Sequence, residues 1–135
     1  MEYHSILTTC PYCGAGCGLY LQVLDGRVVG VLPAKAHPVS QGKLCVKGWN
    51  AHSFVHHEER LTEPLIKDRG QWRRATWDEA LDLVAARLIE SRDAHGPDAV
   101  GVLSSAKCTN EENYLLQKLT RQVLGTNNVD HCARL

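Results

Sequence analysis

Residues 10–18 read C-P-Y-C-G-A-G-C-G, and after Cys17 there are 27 residues before a fourth cysteine, Cys45, in L-C-V-K-G (44–48). Three thiolates within eight residues can close around one side of a metal centre. A fourth from a distant loop completes tetrahedral coverage, which is what a cubane [4Fe–4S] cluster needs. Pro11 and the interspersed glycines let the segment wrap tightly and leave backbone N–H groups free to face sulfide. The residues alone leave two other readings open. Structural zinc sites usually use two compact pairs; a C-x2-C-x3-C triplet with a lone fourth ligand can close a zinc tetrahedron but is the less usual design. The run also departs from the bacterial and plant ferredoxin spacings. Disulfides are the third reading, and no signal peptide precedes Cys10 to imply an oxidising compartment.

Around this motif the chain is ordinary. It has 135 residues, 44% of them hydrophobic, with 15 basic and 15 acidic side chains. That is one domain, or a small domain plus part of another. Zero net charge without a basic stripe argues against nucleic-acid binding. No apolar run approaches the length of a membrane span. The opening M-E-Y-H-S-I-L-T-T lacks a charged leader, a long apolar stretch and a twin-arginine pair, so the expected compartment is the cytoplasm.

From Gly18 to Leu32 two β-rich runs flank Asp25-Gly26, a dipeptide suited to a type I′ hairpin turn. Residues 33–42 form a polar loop that returns the chain to Cys45. Residues 50–60 read as short helix or loop, and 65–73 as a second turn or hairpin around Arg69-Gly70. From Thr76 the character changes. T-W-D-E is a capping box with Thr76 as N-cap and Glu79 reaching back. Leu81, Val84, Ala85 and Leu88 follow at helical spacing, and His95-Gly96-Pro97 stops the helix. A-V-G-V-L (99–103) is an apolar strand of the kind found in parallel sheets. Thr109 to Glu112 is a second capping box, its helix ending at Gly125. A boundary falls near residues 60–75, between a small cluster-binding lobe and an α/β lobe.

Four other features could carry chemistry. Lys47 lies two residues after Cys45; its ammonium would stabilise an anionic cluster and raise its potential, where an arbitrary lysine would simply be solvated. His52 and His56 are four apart, but no further ligand completes a metal set, so a solvated or capping role is expected. Cys108 and Cys132 have no partner spacing and are expected as small buried hydrophobes. Ser104-Ser105, between a strand and a helix, could meet an anion, a weak signal without a glycine-rich loop.

Assembled, these residues resemble the start of the catalytic subunit of formate dehydrogenases, within the molybdenum or tungsten bis-pyranopterin guanine dinucleotide oxidoreductases. The resemblance is carried by C-P-Y-C-G-A-G-C (10–17), K-L-C-V-K-G (43–48), R-L-T-E-P-L-I (60–66), W-D-E-A (77–80) and G-P-D-A-V (96–100). The most specific segments are S-S-A-K-C-T-N-E-E-N-Y (104–114) and G-T-N-N-V-D-H-C-A-R-L (125–135).

The resemblance implies a fold class of α+β/α/β: a small β-rich [4Fe–4S] lobe over residues 1–65, then the beginning of an α/β molybdopterin-binding domain over 66–135. It implies that Cys10, Cys13, Cys17 and Cys45 are the cluster ligands, and that Lys47 is the relay between cluster and pterin. It implies oxidation of formate to CO2, or the reverse, with a bis-molybdopterin guanine dinucleotide carrying Mo or W in the full-length enzyme. Electrons would pass to partner subunits: a hydrogenase, a ferredoxin-like protein or an NAD-reducing flavoprotein. The family's segment after N-N-V-D-x-C-A-R runs on into a metal-ligating selenocysteine or cysteine and a histidine. The expectation is therefore that the chain breaks off after Leu135 at a UGA codon and is inactive alone. Other functions in play are a stand-alone [4Fe–4S] electron carrier, the related cluster region of another molybdopterin oxidoreductase or respiratory NADH dehydrogenase subunit, and a zinc module.

Overall fold

Asp25 and Gly26 form the hairpin tip that the sequence places there. Both hold left-handed φ values, 47° and 77°, as a two-residue type I′ turn requires. Strands β2 (Gly18–Leu24) and β3 (Arg27–Pro33) leave it antiparallel, paired from Leu24↔Arg27 to Leu19↔Pro33 with a bulge at Gln22/Val23. The structure is a computed structural model and describes residues 1–132; residues 133–135, and with them the expected break after Leu135, lie outside the described residues.

A third strand, β1 (Tyr3–Thr9), was not anticipated. It lies antiparallel along β2, from Tyr3↔Leu24 to Thr9↔Gly18, giving the sheet order β1-β2-β3. All seven of its residues are exposed, so no burial pattern marks it in the sequence. What recruits it is the open edge of β2, whose unpaired backbone groups need partners. Buried Gln22 ties the two strands by side chain as well, meeting the Tyr3 hydroxyl and donating to Ser5 Oγ at 3.0 Å.

The core beneath this sheet is small: fully buried Leu19 with Cys10, Val31 and Ala51, and Tyr12, Cys17, Leu21 and Leu44 packed against them. Two of the motif cysteines are thus part of the core. After the loop 33–42, a one-turn helix α1 (Val46–Trp49) begins at Cys45, followed by turns through residues 50–60. The chain divides into two compact units. The first joins Met1–Arg60 with Ser105–Asn113 and Cys132; the second comprises Leu61–Ser104 and Tyr114–His131. The first is the strand-rich lobe, the second a helix-and-sheet region.

In the second unit, β4 (Leu65–Asp68) and β5 (Gln71–Arg74) form the expected hairpin, with Arg69 and Gly70 at φ 47° and 84°. Helix α2 (Trp77–His95) starts at Thr76, whose Oγ1 accepts the Glu79 N–H at 3.2 Å. It stops where Gly96, at φ 87°, donates its N–H to the Arg92 carbonyl at 2.8 Å. The apolar stripe it carries stands largely open, with Leu81 59% and Val84 55% exposed.

Pro97–Ala99 form a 3-10 turn, closed by the Val100 N–H on the Pro97 carbonyl. The strand expected over 99–103 therefore begins later, as β6 (Val102–Ser105). It pairs with β7 (Val129–Cys132). Val102 N–H donates to Asn128 O and Ser105 lies beside Cys132, so both strands advance together, as a parallel pair. Helix α3 (Asn110–Leu119) opens on a complete capping box: Glu112 N–H reaches Thr109 Oγ1, and Glu112 Oε2 accepts the Thr109 N–H. It then widens into a π-turn over Thr120–Leu124 before left-handed Gly125 ends it. Thr120 explains the widening: it is fully buried, its hydroxyl donates back to the Leu116 carbonyl, and its own carbonyl takes the N–H groups of Gly125 and Thr126.

Candidate metal centre

The cysteine triplet occupies the connection between β1 and β2. Cys10 follows Thr9, Gly18 follows Cys17, and the Thr9↔Gly18 pair holds the two ends of the loop together. Cys10 N–H closes its base on the Cys17 carbonyl at 2.8 Å, and Gly16 N–H turns back to the Cys13 carbonyl at 3.2 Å. The unanticipated strand β1 is therefore what sets Cys10 against Cys17.

The fourth cysteine arrives on α1. Leu44 packs on the core, Cys45 opens the helix, and the Trp49 N–H donates to its carbonyl at 3.1 Å. Gly48, buried on the same turn, faces the triplet: a Cβ there would stand 3.7 Å from Cys10 Sγ. None of the four cysteines is in a disulfide.

Their electrostatics differ by position. Burial pushes the Cys10 thiol up; the Tyr12 N–H opposes this, and Cys17, Cys13 and Cys45 each raise it further. All three other thiols thus lie within electrostatic reach of Cys10. Cys45 is held below the usual thiol range by the N–H groups of Gly48 and Lys47, with the Lys47 ammonium adding to them. Lys47 itself is half-buried on α1. Among the described residues, no three His, Cys, Asp or Glu side chains converge on a single-ion site.

That donor set fits a [4Fe–4S] cluster: four cysteines outside any disulfide, Cys45 carried on α1 beside the 10–17 loop, its thiol held below the usual range by N–H groups aimed at sulfur. The loop is braced from outside by an edge-on contact between Tyr12 and Phe54, ring centroids 6.2 Å apart, with the Arg60 guanidinium over the Phe54 ring.

The remaining sequence candidates separate from the centre. His56 is not on a helix with His52; its Nε2 accepts the Val28 N–H at 2.9 Å, while His52 Nδ1 is buried without a partner. Cys108 and Cys132 are not buried hydrophobes: Cys108 is half-buried, and Cys132, on β7, is exposed. The N–H of Ala106, then the Ser105 hydroxyl, hold the Cys132 thiol below its usual range. At the start of α3 the Glu112 carboxylate takes the Thr109 N–H and hydroxyl, and Ser105 Oγ accepts the Lys107 N–H at 3.0 Å. One contact had no signal in the motif: Asn110, far along the chain, donates from Nδ2 to the Gly14 carbonyl at 3.1 Å.

Comparison with known proteins matches residues 3–57 to the family model described as molybdopterin oxidoreductase Fe4S4 domain, and residues 60–135 to molybdopterin oxidoreductase. The chain is 55% identical over 134 residues to the F420-dependent formate dehydrogenase 2 subunit alpha of Methanococcus maripaludis, covering 99% of this chain and 19% of that protein. It is 51% identical to the F420-dependent formate dehydrogenase subunit alpha of Methanocaldococcus jannaschii, again covering 19% of the relative. The chain thus spans about a fifth of the length of these relatives. Among solved structures, acetylene hydratase from Pelobacter acetylenicus superposes with a TM-score of 0.72 at 27% identity, over 93% of this chain and 18% of that one.

Proposed function

The chain belongs to the molybdopterin oxidoreductases, and we propose that it supplies the cluster-bearing N-terminal portion of a formate dehydrogenase catalytic subunit. The family carries a [4Fe–4S] cluster and a molybdopterin. The single observation behind the reading is the convergence of Cys45 on the 10–17 loop, with Gly48 against Cys10, in a chain more than half identical to formate dehydrogenase alpha subunits. The cluster-binding part is taken to end near residue 65.

When bound, a [4Fe–4S] cluster takes up and releases single electrons, the step needed between a two-electron oxidation and a partner that accepts electrons. This chain's residues do the rest. Cys10, Cys13, Cys17 and Cys45 would hold the irons as thiolates. The Tyr12 N–H at Cys10 and the Gly48 and Lys47 N–H groups at Cys45 would offset thiolate charge and so favour the more negative state of a bound cluster. Half-buried Lys47 adds a positive charge beside Cys45 and is the residue assigned to relay electrons from the pterin side. The substrate is formate or CO2, with Mo or W in the bis-pyranopterin guanine dinucleotide of the longer protein. Electron-accepting partners are a hydrogenase, a ferredoxin-like protein or an NAD-reducing flavoprotein, and four unpaired cysteines suit a reducing cytoplasm. Among the described residues, no helix is long and apolar enough to cross a membrane.

Anaerobic reconstitution of the 135-residue chain, with iron and sulfide assays and EPR of the reduced form, tests the cluster. The expected result is about four irons per chain and a reducible S = 1/2 species. One bound zinc per chain in place of iron would overturn it. A family-length protein carrying this segment, assayed for formate-dependent reduction of its cluster, tests the substrate.

A further inference from the structure

Asn110 is the first residue of α3, yet its side chain does not serve its own helix. The Thr109–Glu112 box already satisfies the helix start, and Asn113 ties the same turn to the Ser105 and Thr109 carbonyls at 3.3 and 3.1 Å. The backbone of Asn110 is thereby anchored, and its amide reaches out to Gly14, in the middle of the cysteine loop, 96 residues earlier. The fit is close. A Cβ at residue 14 would come within 2.4 Å of Asn110 Oδ1 and 3.1 Å of its Cγ. A side chain at residue 14 would therefore have to displace the Asn110 amide, which fills the space beside the Gly14 α-carbon.

We propose that Asn110 is a positioning residue of the metal centre. It fixes the loop between Cys13 and Cys17 by capping the Gly14 carbonyl, and through that loop it sets the reduction potential of the cluster. The proposal rests on the reading of the four cysteines as cluster ligands, but not on formate as substrate. The physical logic is preorganisation. The 13–17 segment has a single internal backbone hydrogen bond of its own, Gly16 to Cys13, so without an outside clamp it would hold two ligands on a soft tether. A soft loop lets its N–H groups swing away from the sulfurs, which leaves the more negative, reduced cluster less stabilised and lowers its potential.

Because Gly14 and Asn110 meet in one contact, damage from either side should count once. Gly14→Ala must push the amide away, and Asn110→Ala removes it. The experiment is a double-variant cycle on the 135-residue chain, with Asn110→Gln as a conservative control. In the reconstituted protein, Asn110→Ala keeps about four irons but releases them to a chelator about fivefold faster, the factor one ordinary hydrogen bond gives. The midpoint potential falls in both single variants and falls no further in the double variant, and Asn110→Gln recovers part of the shift. Additive shifts, or an Asn110→Ala protein with the parent's potential and iron-release rate, would overturn the proposal. If the parent chain takes up no iron, the cluster reading fails instead. The clamp is then still decided on the metal-free chain by hydrogen exchange of the Gly16 amide, which is bonded to the Cys13 carbonyl: faster in each single variant and no faster in the double variant supports it, and unchanged exchange refutes it.

Discussion

The ring of His37 occupies the space that a side chain at Gly18 would need. A Cβ at Gly18 would stand 2.4 Å from His37 Cδ2 and 2.9 Å from His37 Cβ. The ring is held there by its neighbours, with Nδ1 accepting the Ser40 N–H at 3.3 Å and the Ser40 hydroxyl accepting the Gly18 N–H at 3.3 Å. The loop 33–42 is thus locked over the first residue of β2, next to Cys17. Gly18→Ala is expected to destabilise the cysteine lobe by about 1–3 kcal/mol, the range of an overpacked contact. Thermal unfolding of the chain checks it, and a double variant with His37→Ala should recover most of the loss; equal melting of Gly18→Ala and the parent would refute the account.

The cysteine lobe was legible where local chemistry decides structure. Asp25-Gly26 demands left-handed backbone, and nothing distant competes, so the hairpin stands where the sequence puts it. Thr76, Gly96 and the Thr109–Glu112 box mark helix ends for the same reason. Strand β1 was not legible, because an exposed edge strand has no burial period; its cause is the free edge of β2. The start of β6 slipped because Pro97–Ala99 close a 3-10 turn first. Asn110 was invisible for a different reason. Its partner is a backbone carbonyl at the far end of the chain, and a carbonyl leaves no trace in residue type. The four cysteines, by contrast, announce themselves by chemistry, and Gly48 brings the last of them beside the first.

Replacing Cys45 with Ala removes the one ligand that comes from outside the loop. We expect the iron content of reconstituted protein to fall clearly below the parent's four or so atoms, and residues 1–60 to lose the stability that metal adds to so small a core. Cys108→Ala and Cys132→Ala should keep the parent's iron. A Cys45→Ala chain still holding about four irons would contradict the ligand assignment.

The start of α2 should respond to acid. Arg73 first, and the Thr76 N–H after it, hold the Glu79 carboxyl below the usual carboxylate range. A depressed folded value means the contribution is present above the unfolded carboxylate pKa, about 4.3, and is lost as pH falls through the lower folded value. The pair is exposed and the effect small. The parent chain should therefore melt slightly above Glu79→Gln at pH 7, with the gap closing as the pH drops below about 4. A gap that persists or widens in acid would mean the carboxylate does not act through its charge.

Lys47 carries the sharpest consequence of the α1 geometry. Its N–H and its ammonium both favour the thiolate of Cys45, but the N–H belongs to any residue at that position and the ammonium does not. Lys47→Met keeps the N–H and much of the side-chain length while removing the charge. The cluster should still assemble, since all four thiols and the helix turn remain. Its midpoint potential should fall, on the order of tens of millivolts, as the loss of a partly solvated unit charge implies. In a family-length protein, reduction of the cluster by formate should also slow, and freeze-quenched EPR would read that rate directly. The two measurements separate the roles. A lower potential with unchanged reduction rate leaves Lys47 as an electrostatic tuner alone, whereas an unchanged potential and rate returns it to an ordinary solvated lysine.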